Sequence, residues 1–396
     1  MADKFCIMPF VHAFVSPDRI SPCCHYQPGI KVNSLDQYWS SNELRSIRQN
    51  MLDNRDDKGC FDCRDKEKRG FSSLRQHSNK IYERYIQTVK EGKKYDFPRY
   101  LDLRLGNLCN LKCRMCVSHW SSQIADEILQ NPKEDWALDK AYKKIIELDD
   151  DSWNTLGKWI PHLRRVFMTG GEPTIIKKNL DYIQKIIDTG HSNKIDLIFT
   201  TNCTNVNREF LDLIKHFRNV HFNVSIDATG DLANYIRFPS NWEKVEENLN
   251  TIGQHEVGVA LNTTVQWLNM TRLDNIFDFI DRYVESQPKR FAGVFFQLVQ
   301  HPYYLDPIHA PRFMKDKAIA DINAYLKRNI NFKDKKFTQL EAGQFITSLE
   351  QTKKFLQDNI NKTKYVDEFL TRMEILDRLR GQKIFDVLPE LKQIGG

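Results

Sequence analysis

Three cysteines in the pattern Cys109-x3-Cys113-x2-Cys116 constrain this chain more than anything else in it. They lie on a short loop directly after Arg99-Tyr100-Leu101-Asp102-Leu103-Arg104-Leu105, whose alternation predicts a half-buried strand. Three thiolates this close can hold a metal, but they leave a four-coordinate site one ligand short, so an open position is implied. Two metal readings fit. A structural zinc would need a fourth ligand nearby, for which His119 is available. A four-iron cluster would keep one iron free to bind a small molecule.

The other cysteines are distributed in a way that argues against disulfides. The chain has 396 residues and nine cysteines, whereas disulfide frameworks belong mostly to small secreted domains. Cys6, Cys23, Cys24, Cys60 and Cys63 fall in the first segment and Cys203 stands alone. In a reducing compartment such clusters read as metal sites. There is no apolar run long enough to span a membrane and no secretory pattern, so a soluble cytoplasmic protein is expected. The formal net charge of +6 permits an anionic partner without requiring one. No stripe of interleaved basic and aromatic residues is present, so nucleic acid is not an expected partner.

Taken in order, residues 1–98 begin with a candidate hairpin around His12 to Ile20, its turn at Ser16-Pro17-Asp18, with a cysteine beyond each end. Leu44, Ile47 and Met51 give Asn42 to Asp53 a helical stripe, and a charged helix is expected from Ser72 to Lys90. From 99 to 305 short runs alternate with helices. The runs are Tyr100–Leu105, Arg165–Met168, Ile195–Thr201, His221–Asp227, Val257–Val265 and Val294–Val299. Six strands alternating with helices predict an α/β fold with a parallel sheet, a partial (β/α)6 TIM-like barrel. Asn223, Ser225 and Asp227 share one strand face, as do Asn262, Thr264 and Gln266, which suits a polar lumen. Residues 306–396 read as a helical extension with packing positions at Phe345, Leu349, Phe355, Phe369, Met373, Leu376 and Leu379 and no chemical motif.

The second strand ends in Met168-Thr169-Gly170-Gly171-Glu172-Pro173. A Gly-Gly pair exposes backbone, and Glu172 adds a carboxylate, so a ligand amine could be held there. Barrel enzymes place their active sites at such strand ends.

The cysteine trio, the Gly170–Pro173 run and the six βα units together resemble the radical S-adenosylmethionine (SAM) superfamily. The resemblance implies a [4Fe–4S] cluster on Cys109, Cys113 and Cys116, with SAM on the fourth iron through its amino and carboxylate groups. It implies that the Gly170-Gly171-Glu172-Pro173 run holds the SAM amino group, that Ser225 and Asp227 lie near the ribose, and that Arg237 pairs with the SAM carboxylate. Asn202, Gln266 and Gln297 are further strand-end candidates. Many members carry an aromatic residue where this chain has Met115, which can still pack on adenine.

The first segment resembles part of a SPASM or twitch auxiliary-cluster module, here preceding the barrel. That likeness implies a second [4Fe–4S] cluster on Cys6, Cys23, Cys60 and Cys63, with Cys24 the rival of Cys23 and structural zinc the rival metal. Cys203 follows the third strand; it is either a hydrogen-atom donor to a substrate radical or an inert core thiol. The expected activity is reductive cleavage of SAM and hydrogen abstraction from a peptide or small molecule, with flavodoxin or ferredoxin as the reducing partner. A sugar or nucleoside substrate is the alternative, and a zinc-stabilised nucleic-acid-binding protein is the alternative of another class.

Overall fold

Alternating apolar positions set the two sheet faces. In a computed structural model, residues 3–32, 34–136, 148–287, 291–328 and 339–394 are described. The chain divides into two compact units, one of Met1–Leu108, Ile145–Phe199 and Asp212–Val220, the other of Cys109–Lys144, Thr200–Leu211 and His221–Gly396. The fold is α/β with mostly parallel strands, as expected of a partial barrel.

In the first unit, His12–Ser16 (β1) and Arg19–Ser21 (β2) form the hairpin. The hairpin joins the sheet, because β1 pairs in parallel with Tyr100–Arg104 (β3), setting Phe14 opposite Asp102. Arg165–Thr169 (β4) and Asp196–Thr201 (β5) continue in parallel register. Ala13, Val15, Leu101, Leu103, Val166, Met168, Leu197 and Phe199 lie on one face, all fully buried. Burying a side chain of this size contributes about 1.5–3 kcal/mol, which makes that face the foundation of the unit.

Helix Asn42–Leu52 (α1) buries Leu44, Ile47 and Met51, and Ser41 caps it by accepting from the Leu44 N–H at 3.2 Å. Phe61–Lys68 (α2) carries Cys63. The single helix expected from Ser72 to Lys90 is two, Leu74–Ile81 (α3) and Glu83–Lys90 (α4). Tyr82 breaks it. Its ring packs 5.8 Å from Tyr100 and its hydroxyl accepts from Arg165 at 3.1 Å, so tertiary contacts override local helix propensity.

In the second unit, Ser122–Gln130 (α5) follows the cysteine loop. Asn219–Ser225 (β6), Gly258–Val265 (β7) and Phe291–Leu298 (β8) are parallel, with Ser225 opposite Asn262 and Thr264 opposite Gln297. Gly230–Ile236 (α6), Trp242–Gly253 (α7) and Leu273–Ser286 (α8) alternate with them. The extension is helical: Arg312–Arg328 (α9), Gln339–Asp358 (α10) and Val366–Arg380 (α11). Phe277 stacks on Tyr325 at 4.4 Å, and Trp267, just past β7, packs 4.8 Å from Phe369 of α11.

Candidate functional site

A loop with three cysteines and no ladder of its own must satisfy its backbone elsewhere. In the second unit, the Arg114 N–H donates to the Ile236 carbonyl at 2.9 Å, just past Tyr235 of α6. The Cys109 N–H donates to Ser122 Oγ at 3.2 Å, and Ser121 Oγ donates to the Leu111 carbonyl at 2.6 Å. Asn110, the residue after Cys109, donates to Thr204 Oγ1 at 2.7 Å and accepts from Asn202 Nδ2 at 3.0 Å. The Asn202 amide therefore acts on the loop, at the exit of β5.

Arg237 sits against this loop. Its Nη1 is 4.0 Å from Cys113 Sγ, and its Nη2 is 2.6 Å from Asp227 Oδ2. The other Asp227 oxygen accepts from the Thr264 N–H at 2.8 Å, so β7 holds the carboxylate in place. Burial pushes the Cys113 thiol up while Arg237 pulls it down. Cys116 is pushed up by burial and by its two neighbouring cysteines. For Arg237, burial is outweighed by Asp227 and Cys113, and its pKa rises. The cationic guanidinium thus suits a thiolate-rich site.

Several buried side-chain polar atoms of this unit have no hydrogen-bond partner among the described residues. Among the described residues, Arg237 Nε has no hydrogen-bond partner, nor does Asn262 Oδ1 on β7. Gln266, fully buried at the exit of β7, has neither amide atom paired among the described residues. Orphaned buried amides are costly unless something binds them. Ser225 is half-buried at the end of β6.

In the first unit, the Gly170–Pro173 run buckles onto the segment that leads into Cys109. The Gly171 N–H donates to the Gly106 carbonyl at 3.1 Å, and the Glu172 N–H donates to the Leu108 carbonyl at 2.8 Å. Both glycines are required by this approach. Gly170 has φ +129°, and a Cβ on Gly171 would lie 2.0 Å from the Leu108 oxygen. Glu172 is fully buried and its Oε1 accepts from the Thr174 N–H and hydroxyl, at 3.1 and 2.7 Å.

Elsewhere in this unit, Cys6, Cys23, Cys60 and Cys63 line one cavity of about 400 Å³, and Cys24 is not among its lining residues. Asn79 of α3 fixes the chain beside Cys6, accepting from the Ile7 N–H at 2.9 Å and donating to the Phe5 carbonyl at 2.8 Å. Burial pushes the Cys6 thiol up to about 12, helped by Cys60 and Cys63. Cys60 is also pushed up to about 12, by burial and then by Asp57. A bound cation would relieve that penalty, because metals bind thiolates. Cys24 instead lies close to Asp102 and His25.

All nine cysteines are free thiols. Among the described residues, no group of three or more Cys, His, Asp or Glu is gathered closely enough to hold a single metal ion. Cys203 is fully buried with φ +61°; its carbonyl accepts from Asn248 of α7 at 2.9 Å, and it lies near Tyr283 of α8. Sequence reasoning missed the buried Arg114, Glu127 and Arg380 and the half-buried Lys112 and Asp377, which pair around the loop. The available signal was Arg380, a charge on the apolar stripe of Phe369, Met373 and Leu376.

Residues 103–280 match the family model of the Radical SAM superfamily. That match supports the superfamily for this stretch, and the superfamily binds SAM and a [4Fe–4S] cluster. Native anSMEcpe with bound AdoMet is similar over 60% of this chain and 62% of its own, at 16% identity and a TM-score of 0.43. Streptococcus suis SuiB bound to S-adenosylmethionine is similar over 64% of this chain and 50% of its own, at 12% identity and a TM-score of 0.36. The chain therefore covers less than two thirds of either protein. No curated protein matches it.

Proposed function

We propose that this protein is a radical SAM enzyme with a SAM-binding [4Fe–4S] cluster on Cys109, Cys113 and Cys116. The observation that carries the reading is the cysteine loop at the exit of β3, with Arg237 reaching Cys113 from its ion pair with Asp227. When bound, SAM and the cluster would supply a 5′-deoxyadenosyl radical that takes hydrogen from the substrate. The protein's part is placement and shielding. Its loop offers three thiolates and leaves one iron for SAM. Gly170, Gly171 and Glu172 serve the SAM amino group. Arg237, whose Nε has no partner among the described residues, serves the carboxylate. Ser225 and Asp227 serve the ribose side, and the buried Gln266 amide offers a donor and an acceptor to the cofactor.

A second [4Fe–4S] cluster on Cys6, Cys23, Cys60 and Cys63 is part of the same reading, supported by the cavity these four residues line. Being fully ligated by protein, it would relay an electron or position the substrate. The working division is an auxiliary module to residue 98, a barrel to residue 305 and a helical extension beyond. The substrate is a peptide or small molecule, and flavodoxin or ferredoxin supplies the electron. Cys203, fully buried, would act on a substrate radical only if its environment opened.

Anaerobic reconstitution tests both clusters. The reading expects about eight irons with matching sulfide, and loss of reductive SAM cleavage when Cys109, Cys113 and Cys116 are changed to Ala. Stoichiometric zinc without sulfide would sink it in favour of a zinc-stabilised binding protein.

A further inference from the structure

Both neighbours of Cys113 in the chain are tied through charged side chains to one helix, α11. Arg114, with its side chain fully buried, donates from Nη2 to Asp377 Oδ1 at 2.6 Å and to Gln382 Oε1 at 3.0 Å. Its guanidinium also lies 3.6 Å from the centre of the Tyr235 ring, and Tyr235 Oη donates to the same Asp377 oxygen at 2.8 Å. The second Asp377 oxygen accepts from the Ile384 N–H at 2.6 Å, so this carboxylate is fully engaged. On the other side of Cys113, Lys112 Nζ lies 2.9 Å from Glu127 of α5. Glu127 is gripped in turn by Arg380 through two bonds, at 3.1 and 2.7 Å, and both side chains of that pair are at most 3% exposed. Asp377 and Arg380 are three residues apart on α11, which places them on neighbouring turns of one surface.

We propose that Asp377 and Arg380 are positioning residues for the cysteine trio, acting through Arg114 and through Glu127 with Lys112. The C-terminal extension is then part of the cluster site, not only a cover for the sheet. Buried ion pairs add little net stability compared with apolar packing of the same volume; what they do well is impose one geometry. Here the geometry is that of a loop with no regular secondary structure, whose cysteine spacing decides whether three irons can be held while the fourth stays open. The two clamps flank Cys113, the cysteine that Arg237 also touches.

The inference rests on the trio being cluster ligands, and one experiment separates the two ideas. Full-length protein carrying Cys60→Ala and Cys63→Ala, so that only the trio contributes, is reconstituted anaerobically with iron and sulfide. Dithionite-reduced samples are compared by electron paramagnetic resonance with and without SAM, for the parent and for Asp377→Asn, Arg380→Gln and Glu127→Gln. Thermal unfolding of each apo-protein checks folding. Glu127→Gln keeps the side-chain shape and tests the clamp if the α11 variants do not fold. The expected result is a cooperative melt with at least a two-fold loss of cluster signal, or a changed SAM-induced spectrum, partly restored by Arg380→Lys. A parent that forms no cluster would overturn the trio reading itself. A parent cluster with unchanged spectra and SAM response in every folded variant would overturn the positioning role alone.

Discussion

Arg237 and Asp227 form a buried ion pair, 2.6 Å apart, in which Asp227 is 1% and Arg237 16% exposed. Arg237 has a free Nε among the described residues and one nitrogen at Cys113, so it links the carboxylate of β7's partner strand exit to the cysteine loop. Changing Arg237 to Met strands a buried carboxylate. Unfolding of the apo-protein in urea should then show a loss of about 3–5 kcal/mol, whereas the double change Arg237→Met with Asp227→Asn should recover much of it. SAM binding, measured on reconstituted protein, should weaken in both, because the double variant restores stability without restoring the cation.

Gly171 gives a steric prediction. A Cβ there would meet the Leu108 oxygen at 2.0 Å, and that contact is with backbone, which cannot rotate away. Gly171→Ala should therefore cost about 3 kcal/mol or more and displace the segment entering Cys109. Gly190→Ala is the comparison: φ is +71° but nothing lies within 4 Å, so only backbone strain of about 1 kcal/mol is expected. Equal melting temperatures for the two variants would refute the close-approach account.

The six strands of the barrel region were legible in the sequence because each has an apolar face of period two, as in Leu101, Leu103 and their buried counterparts Val166 and Met168. The pairing of β1 with β3 was not, since nothing local tells Phe14 that Asp102 lies opposite. The break at Tyr82 was hidden for a similar reason: the residue that its hydroxyl accepts from, Arg165, is on a strand distant in sequence. At the site, cysteine spacing was legible because ligation demands particular residues. The link from Arg114 to Asp377 was not, because it joins positions 263 residues apart and a charge on a helix usually faces water.

The first-unit cysteines differ in what they face. Cys23 lines the cavity with Cys6, Cys60 and Cys63, while Cys24 is not among its lining residues and lies close to Asp102. Replacing Cys23 by Ala should remove about four irons on reconstitution, and replacing Cys24 should remove none. Iron and sulfide analysis of the two single variants decides it; loss of iron in Cys24→Ala with retention in Cys23→Ala would exchange their roles.

Asp102 makes a prediction about pH. The residue is 2% exposed on β3, and its carboxyl is pushed up to about 6 by burial, against the opposing pull of Arg104, His25 and Arg19. In the unfolded chain the same group titrates near about 3.9. Below that value it is protonated in both states and adds no pH dependence. As pH rises from about 4 to 6, the unfolded chain gives up its proton first, so the folded state binds more protons and stability falls. The loss levels off once the folded group has also ionised, and its size is about 3 kcal/mol, from two units at about 1.4 kcal/mol each. Asp102→Asn cannot ionise. The difference in unfolding free energy between the parent and this variant should therefore move in the variant's favour between pH 4 and pH 7, and then stay constant. Urea denaturation at those two pH values measures it, and a difference that does not change with pH would show that burial leaves this carboxyl untouched.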